Sequence, residues 1–137
     1  MADRTQIAVA ALVRDGHVLL AHRHPARRRY ADCWDLVGGH VEPGESPRLA
    51  LARECREELG VLVHDPTPFP MAVEDPALDV FAFLVTRWEG EPLNAAPEEH
   101  DELRWFRPEE LAGVNLAHPQ ALSSIVGAVA SAVVQPG

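Results

Sequence analysis

Residues 46–60, SPRLALARECREELG, restrict this chain more than any other stretch, because they spell a helix from cap to cap. Ser46 can accept a first-turn backbone N–H, and Pro47 suits the first helical position. The predicted helix runs to about Leu59, where Gly60 stops it. Leu51, Ala52, Cys55 and Leu59 cluster on one side, which predicts packing against a sheet. At about 100° per residue, Glu57 and Glu58 fall within about 60° of Glu54, so three carboxylates share another face.

That face is awkward for a helix. Glu54 and Glu58 repel at i,i+4, and Glu57 and Glu58 oppose the macrodipole near its C-terminus. A divalent cation is the natural compensation, because Mg²⁺ takes carboxylate oxygens, keeps waters and binds phosphates. The plainer alternative is a solvated face with Arg53 and Arg56 as partners, the usual fate of a charge run. The turn glycines and the spacing on both sides weigh against it.

Around this helix the pattern alternates. Residues 6–13 and 17–22 predict a strand pair joined at Asp15-Gly16. Residues 24–32 predict a polar loop carrying Arg27, Arg28 and Arg29, and residues 34–37 a short strand ended by Gly38-Gly39. Residues 65–76, with four prolines, predict loop, and the apolar run 78–88 a buried strand. A loop follows over 89–101, then a strand over 102–106, a helical turn over 108–111 and a last helix over 118–134. The class is α/β, a mixed sheet flanked by helices.

With 137 residues, the length points to one domain spanning 1–137. Twelve Lys+Arg against 21 Asp+Glu give a net charge of −9, which argues against a nucleic-acid polymer as partner. A phosphorylated small molecule stays compatible where metal ions neutralise the clustered acids. Cys33 and Cys55 make neither a C-x-x-C pair nor a disulfide framework, so a reducing, cytoplasmic setting is expected. The N-terminal segment lacks the pattern of a signal peptide, and the apolar tail 121–134 is too short to span a bilayer.

Residues 39–61 also fit G-x5-E-x7-R-E-U-x-E-E-x-G-U, where U is a bulky aliphatic, through Gly39, Glu45, Arg53, Glu54, Cys55, Glu57, Glu58, Gly60 and Val61. Cys55 alone departs, and as a small buried hydrophobe it alters packing and not chemistry. This stretch is identified as a Nudix box, and the chain resembles the MutT-like members of the Nudix hydrolases. The starting strand QIAV and the segment FLVTRWEGEP at 83–92 extend the likeness. The resemblance implies an α/β/α sandwich with a mixed sheet, and hydrolysis of a nucleoside diphosphate linked to another group, with Mg²⁺ (or Mn²⁺) as cofactor. It also implies a homodimer in some members.

The resemblance further implies metal ligation by Glu54, Glu57, Glu58 and the carbonyl of Gly39, with Glu45 and Arg53 paired as a structural brace and Gly60 as the helix stop. A downstream acid often completes such a site. Among Glu98, Glu99, Asp101 and Glu102, Glu102 aligns best and Glu99 second, with solvated loop acids as the alternative. Glu54 and Glu102 are both candidates for the general base, and Glu54, Glu58 and Glu102 make up the expected catalytic set. Arg23 ends the second strand where MutT-type members place a phosphate contact, balanced against a surface role. The arginines at 27–29 either draw phosphates to the mouth or form a solvated face. Trp34 and Phe81 are better read as core than as base-stacking residues. His118 lies near an Asn of guanine-reading members, and an imidazole cannot copy both the donor and the acceptor of an amide.

The expected substrate is a nucleoside triphosphate or modified nucleotide, cleaved to monophosphate and pyrophosphate. ADP-ribose or a nucleotide sugar is the alternative, for which Pro76 is a weak signal. A binding-only regulatory domain should have lost box glutamates, and none is missing.

Overall fold

The computed structural model describes residues 4–134, so residues 1–3 and 135–137 of the expected single domain lie outside it. The chain opens with β1 (Thr5–Arg14) and β2 (His17–Arg23), an antiparallel hairpin with Val13 opposite Val18. Asp15 and Gly16 turn it with φ of 52° and 73°, the left-handed pair that a two-residue hairpin loop requires.

β1 organises everything else. β7 (Leu78–Val85) runs parallel along one side of it, with Thr5 opposite Leu78 and Leu12 opposite Val85. On its other side β1 pairs first with β4 (Val37–His40) and then with β2. β2 carries β3 (Trp34–Asp35) and β9 (His100–Phe106), both antiparallel. β6 (Thr67–Phe69) closes the far edge against β7, completing a seven-stranded mixed sheet. A separate ribbon pairs β5 (Leu62–His64) with β8 (Arg87–Glu89).

Both faces of the sheet are covered. Ala8, Ala10 and Leu12 of β1 point to the face of α1 (Pro47–Leu59), joined there by Leu51, Cys55 and Leu59. Val9, Ala11 and Val13 point the other way, to α2 (Leu122–Val134) with its buried Ile125, Ala128 and Val129. The period-two alternation of one strand thus feeds two cores, and the result is the expected α/β/α sandwich. Burial of one leucine stabilises by about 2 kcal/mol. Leu51 and Leu59, both 0% exposed, therefore outweigh the few tenths of a kcal/mol that a like-charged i,i+4 pair costs. α1 begins and ends as its residues demand: Leu49 N donates to Ser46 Oγ at 3.1 Å, and Gly60 closes it at φ 72°.

Several boundaries differ from the sequence reading. Gly38 and Gly39 do not end a strand; they lie inside β4, opposite Val9 and Ala8. The run 78–88 is two strands, because β1 offers β7 no partner beyond Leu12 and the chain turns to β5 instead. β6 lies in the proline-rich stretch read as loop. The last strand begins at His100, and α2 is preceded by a 3₁₀ turn, Pro119–Ala121. On α1 it is Ala50, not Ala52, that is fully buried with the leucines, and Glu58 is buried beside them. Among the described residues no helix is long and apolar enough to cross a membrane.

Candidate active site

Arg53 organises the acidic helix. Its Nε and Nη2 donate to both oxygens of Glu45, at 2.8 and 3.0 Å. Nη2 also donates to the His40 carbonyl at 3.0 Å, and Nη1 to Glu54 and Glu57 at 3.0 and 3.2 Å. Glu45 in turn accepts the Glu42 N–H at 3.0 Å. One guanidinium thus fixes the loop 41–46 and the end of β4 against α1. The Arg53 hydrogen bonds hold the Glu45 carboxyl well down, to about 2, and Glu45 raises the Arg53 guanidinium in return.

Glu54 and Glu58 lie deeper. A Cβ on Gly39 would meet the Glu54 carboxylate at 2.6 Å, so this carboxylate rests against the bare backbone of β4. Gly38 is as tightly placed, since its Cβ would fall 2.0 Å from the Ala8 carbonyl. Glu58 is 4% exposed, and its Oε2 has no hydrogen-bond partner. Burial, then Glu54 and Glu99, push its carboxyl up to about 10. Glu57 stands apart at the rim, half exposed, with its carboxylate on Arg53.

The segment after β8 brings the remaining groups. Leu93 N and Ala95 N cap the Leu59 and Glu58 carbonyls at 3.1 and 2.9 Å, satisfying the free end of α1. Asn94 Nδ2 donates to the His100 carbonyl at 2.7 Å, and Glu99 N and His100 N both donate to Ala96 O. This places Glu99 and His100 over Glu58, where one ligand atom from each lies within 4.8 Å of the others. Burial pushes the His100 imidazole down from its ordinary range. A register shift between His22 and Arg23, opposite the start of β9, re-aims Arg23 into the same region.

Glu102, expected in the site, is not brought to this group. Its β9 position lies opposite His22, two residues from the Arg104–Leu20 pair. Leu20 and Phe106 belong to the α2 face, whereas Leu103 and Trp105 pack on the α1 side. Strand alternation therefore turns Glu102 away from α1. Its carboxylate pairs with Arg104 at 2.6 Å instead. Glu99 is the downstream acid beside Glu58.

A cleft of about 420 Å³ opens from Gly39 and Glu54. Ile7, Val9, Leu78 and Val80 floor it, and Arg23, Tyr30, Asp35 and His118 stand around it. Arg27, Arg28 and Arg29 all reach its lining. Arg23 is held by two hydrogen bonds from Nε and Nη2 to the Arg29 carbonyl, at 3.0 and 2.8 Å. His118 arrives because residues 115–117 bridge to Trp34, Ala117 N donating to its carbonyl at 2.8 Å. The His118 ring meets Tyr30 edge-on at 4.6 Å and makes no cap hydrogen bond to the 3₁₀ turn it precedes. Tyr30 also donates to Asp75 at 2.7 Å, linking the two loops beside the cleft. Trp34 and Phe81 pack against the two cores.

Sequence reasoning missed Asp35, Tyr30 and His100. Asp35 and Tyr30 carry no spacing signal, although the alternation of Trp34-Asp35-Leu36 does place Asp35 opposite its apolar neighbours. Burial raises the Asp35 carboxyl, with His118 and Arg23 opposing it. A smaller cavity of about 20 Å³, room for one ion or water, lies among Arg23, Gly38, Glu58, Glu99 and His100. The unpartnered Glu58 oxygen, the neighbouring acids and this cavity fit a divalent cation, so the group can hold a metal.

Residues 4–125 match the NUDIX domain family. The chain is 38% identical over 115 residues to the CTP pyrophosphohydrolase of Escherichia coli, covering 82% of each. It is 32% identical over 92 residues to the E. coli 8-oxo-dGTP diphosphatase, covering 65% of this chain and 71% of that one. The crystal structure of a MutT NUDIX hydrolase from Burkholderia pseudomallei superposes with a TM-score of 0.77 at 30% identity, over 93% of this chain and 98% of the other. By the box, the sandwich and these relatives, the chain belongs to the NUDIX family of hydrolases that act on phosphorus anhydrides.

Proposed function

We propose that this chain is a Mg²⁺-dependent pyrophosphohydrolase of nucleoside triphosphates, releasing a nucleoside monophosphate and pyrophosphate. The observation that carries the reading is the buried, unpartnered Glu58 carboxylate beside Glu54 and Glu99, next to a cleft edged by Arg23 and the arginines at 27–29. The two relatives with triphosphate substrates in their names support the substrate class.

Glu54, Glu58, Glu99 and the Gly39 carbonyl would hold the ion. Bound there, Mg²⁺ supplies charge neutralisation for phosphate oxygens and acidifies water. Arg23, fixed by the Arg29 carbonyl, orients the phosphates, and the loop arginines draw the polyphosphate in. Glu54 accepts the proton of the attacking water at its carboxylate, the one box acid lining the cleft itself. Glu45 and Arg53 act through Glu54 by bracing α1. A cleft of about 420 Å³ suits a free nucleotide better than a polymer.

The test is hydrolysis of CTP, 8-oxo-dGTP, ADP-ribose and nucleotide sugars with Mg²⁺, with products resolved. Pyrophosphate release from a triphosphate is expected. Cleavage of ADP-ribose or a nucleotide sugar with triphosphates untouched would overturn the substrate. Glu58→Gln should lose more than about 100-fold, beyond the loss from outer-shell changes, and wild-type turnover would overturn the metal role.

A further inference from the structure

Among the described residues, His100 is a buried polar side chain that this mechanism leaves unused. The residue is 3% exposed, and neither ring nitrogen has a hydrogen-bond partner. Its Nε2 stands 3.3 Å from Glu58 Oε1, close enough for a hydrogen bond, but the ring N–H does not aim at the oxygen. The opposite oxygen, Glu58 Oε2, is also buried and unpartnered. Two buried polar groups are therefore left unsatisfied side by side, a costly arrangement for a purely structural pair.

The surroundings hold the His100 backbone, and its ring borders the small cavity shared with Glu58 and Glu99. Asn94 fixes its carbonyl, Ala96 O accepts its N–H, and β9 pairs it with Arg23. The terminal torsion of a glutamate is broad and roughly two-fold, so nothing in α1 itself decides which Glu58 oxygen faces the cavity. A donor on one oxygen would decide it. With Glu58 ionised by a bound cation, Nε2 adjoins a carboxylate while Nδ1 has no partner, so the ring proton would belong on Nε2.

We propose that His100 is a positioning residue for Glu58: its Nε2–H turns onto Oε1 and holds Oε2 toward the cavity shared with Glu99 when a divalent cation binds. The inference rests on the metal reading above. It differs from ligation by His100 itself, which the same 3.3 Å contact also permits.

The test is Mn²⁺ binding to the full chain without nucleotide, read by electron paramagnetic resonance of free Mn²⁺, with melting curves as a check on folding. His100→Leu should weaken binding about 10-fold or more, the range for lost outer-shell partners. His100→Gln, whose amide nitrogen reaches the Nε2 position, should recover to within about 3-fold of wild type. His100→Asn, which copies Nδ1, should not. If His100→Leu fails to fold, the Gln–Asn contrast decides. Wild-type affinity in His100→Leu, or equal affinity in the Gln and Asn variants, overturns the proposal. So does a directly bound nitrogen in the pulsed spectrum of wild type. Wild type binding no better than Glu58→Gln defeats the metal reading itself, and the proposal with it.

Discussion

Glu99 and Glu102 are three residues apart, yet they have different partners. Glu99 precedes β9 and is held over Glu58 by the Ala96 carbonyl, while Glu102 lies within the strand and belongs to Arg104. Glu99→Gln should therefore weaken metal binding and slow turnover by about 10-fold or more, the scale on which partners around a metal matter. Glu102→Gln should leave both near wild type and cost at most about 1 kcal/mol of stability, as for an exposed ion pair. Titration with Mg²⁺ under turnover separates the two, and equal losses would sink the assignment. Both residues were visible in the sequence as acids of one segment. Their order was not, because it depends on where β9 starts, and a shift of two residues in a strand boundary decides which acid is free to leave the sheet. The box glutamates escaped this difficulty: a helix capped at Ser46 and Gly60 has only one phase.

At the scale of the element, β4 and α1 form one unit, and the glycines of β4 set how near they come. Gly39 and Gly38 sit side by side, yet alanine at each should fail differently. At 39 the added methyl meets the end of a flexible glutamate, which can swing aside. Gly39→Ala should fold, melt within a few degrees of wild type and lose metal affinity, because Glu54 is displaced. At 38 the methyl would lie 2.0 Å from a backbone carbonyl of β1, which cannot swing. Gly38→Ala should be expressed poorly or melt far lower, with loss of several kcal/mol, on the scale of severe core overpacking (about 3 kcal/mol). Circular dichroism melts with and without Mn²⁺ check both, and a well-folded Gly38→Ala with full metal binding would contradict the close approach. The double glycine reads in sequence as a strand end because glycine weakens strands. Here backbone proximity overrides propensity, a tertiary cause that no local pattern carries. The three-residue β5, β6 and β8 stayed hidden for a related reason: each exists by pairing with a neighbour distant in sequence, not by a period of its own.

Over the whole molecule, stability and site chemistry are coupled through Glu58. Burial, Glu54 and Glu99 push its carboxyl up to about 10, against about 4.3 in an unfolded chain. A carboxyl raised on folding contributes its full stability below the unfolded value, and loses it as pH rises toward the folded one. Metal-free protein should therefore be most stable near pH 5 and weaken through pH 9, by up to about 1.4 kcal/mol per pH unit for one proton. Glu45 acts in the opposite sense, since Arg53 holds it near 2 and its contribution is lost only as pH falls below the unfolded range. The two windows do not overlap. On the proposed function, a divalent cation would bind the ionised Glu58, release its proton and remove the penalty. With Mg²⁺ at 100 times its dissociation constant the gain is about 2.7 kcal/mol, so the melting temperature at pH 8–9 should rise on adding Mg²⁺ and scarcely move at pH 5. Glu58→Gln should flatten the metal-free pH profile and abolish the Mg²⁺ shift together. Melting the chelated and Mg²⁺-loaded proteins across pH 5–9 checks this, and a metal-free protein that gains stability toward pH 9 would show that Glu58 is ionised in the fold without an ion to hold.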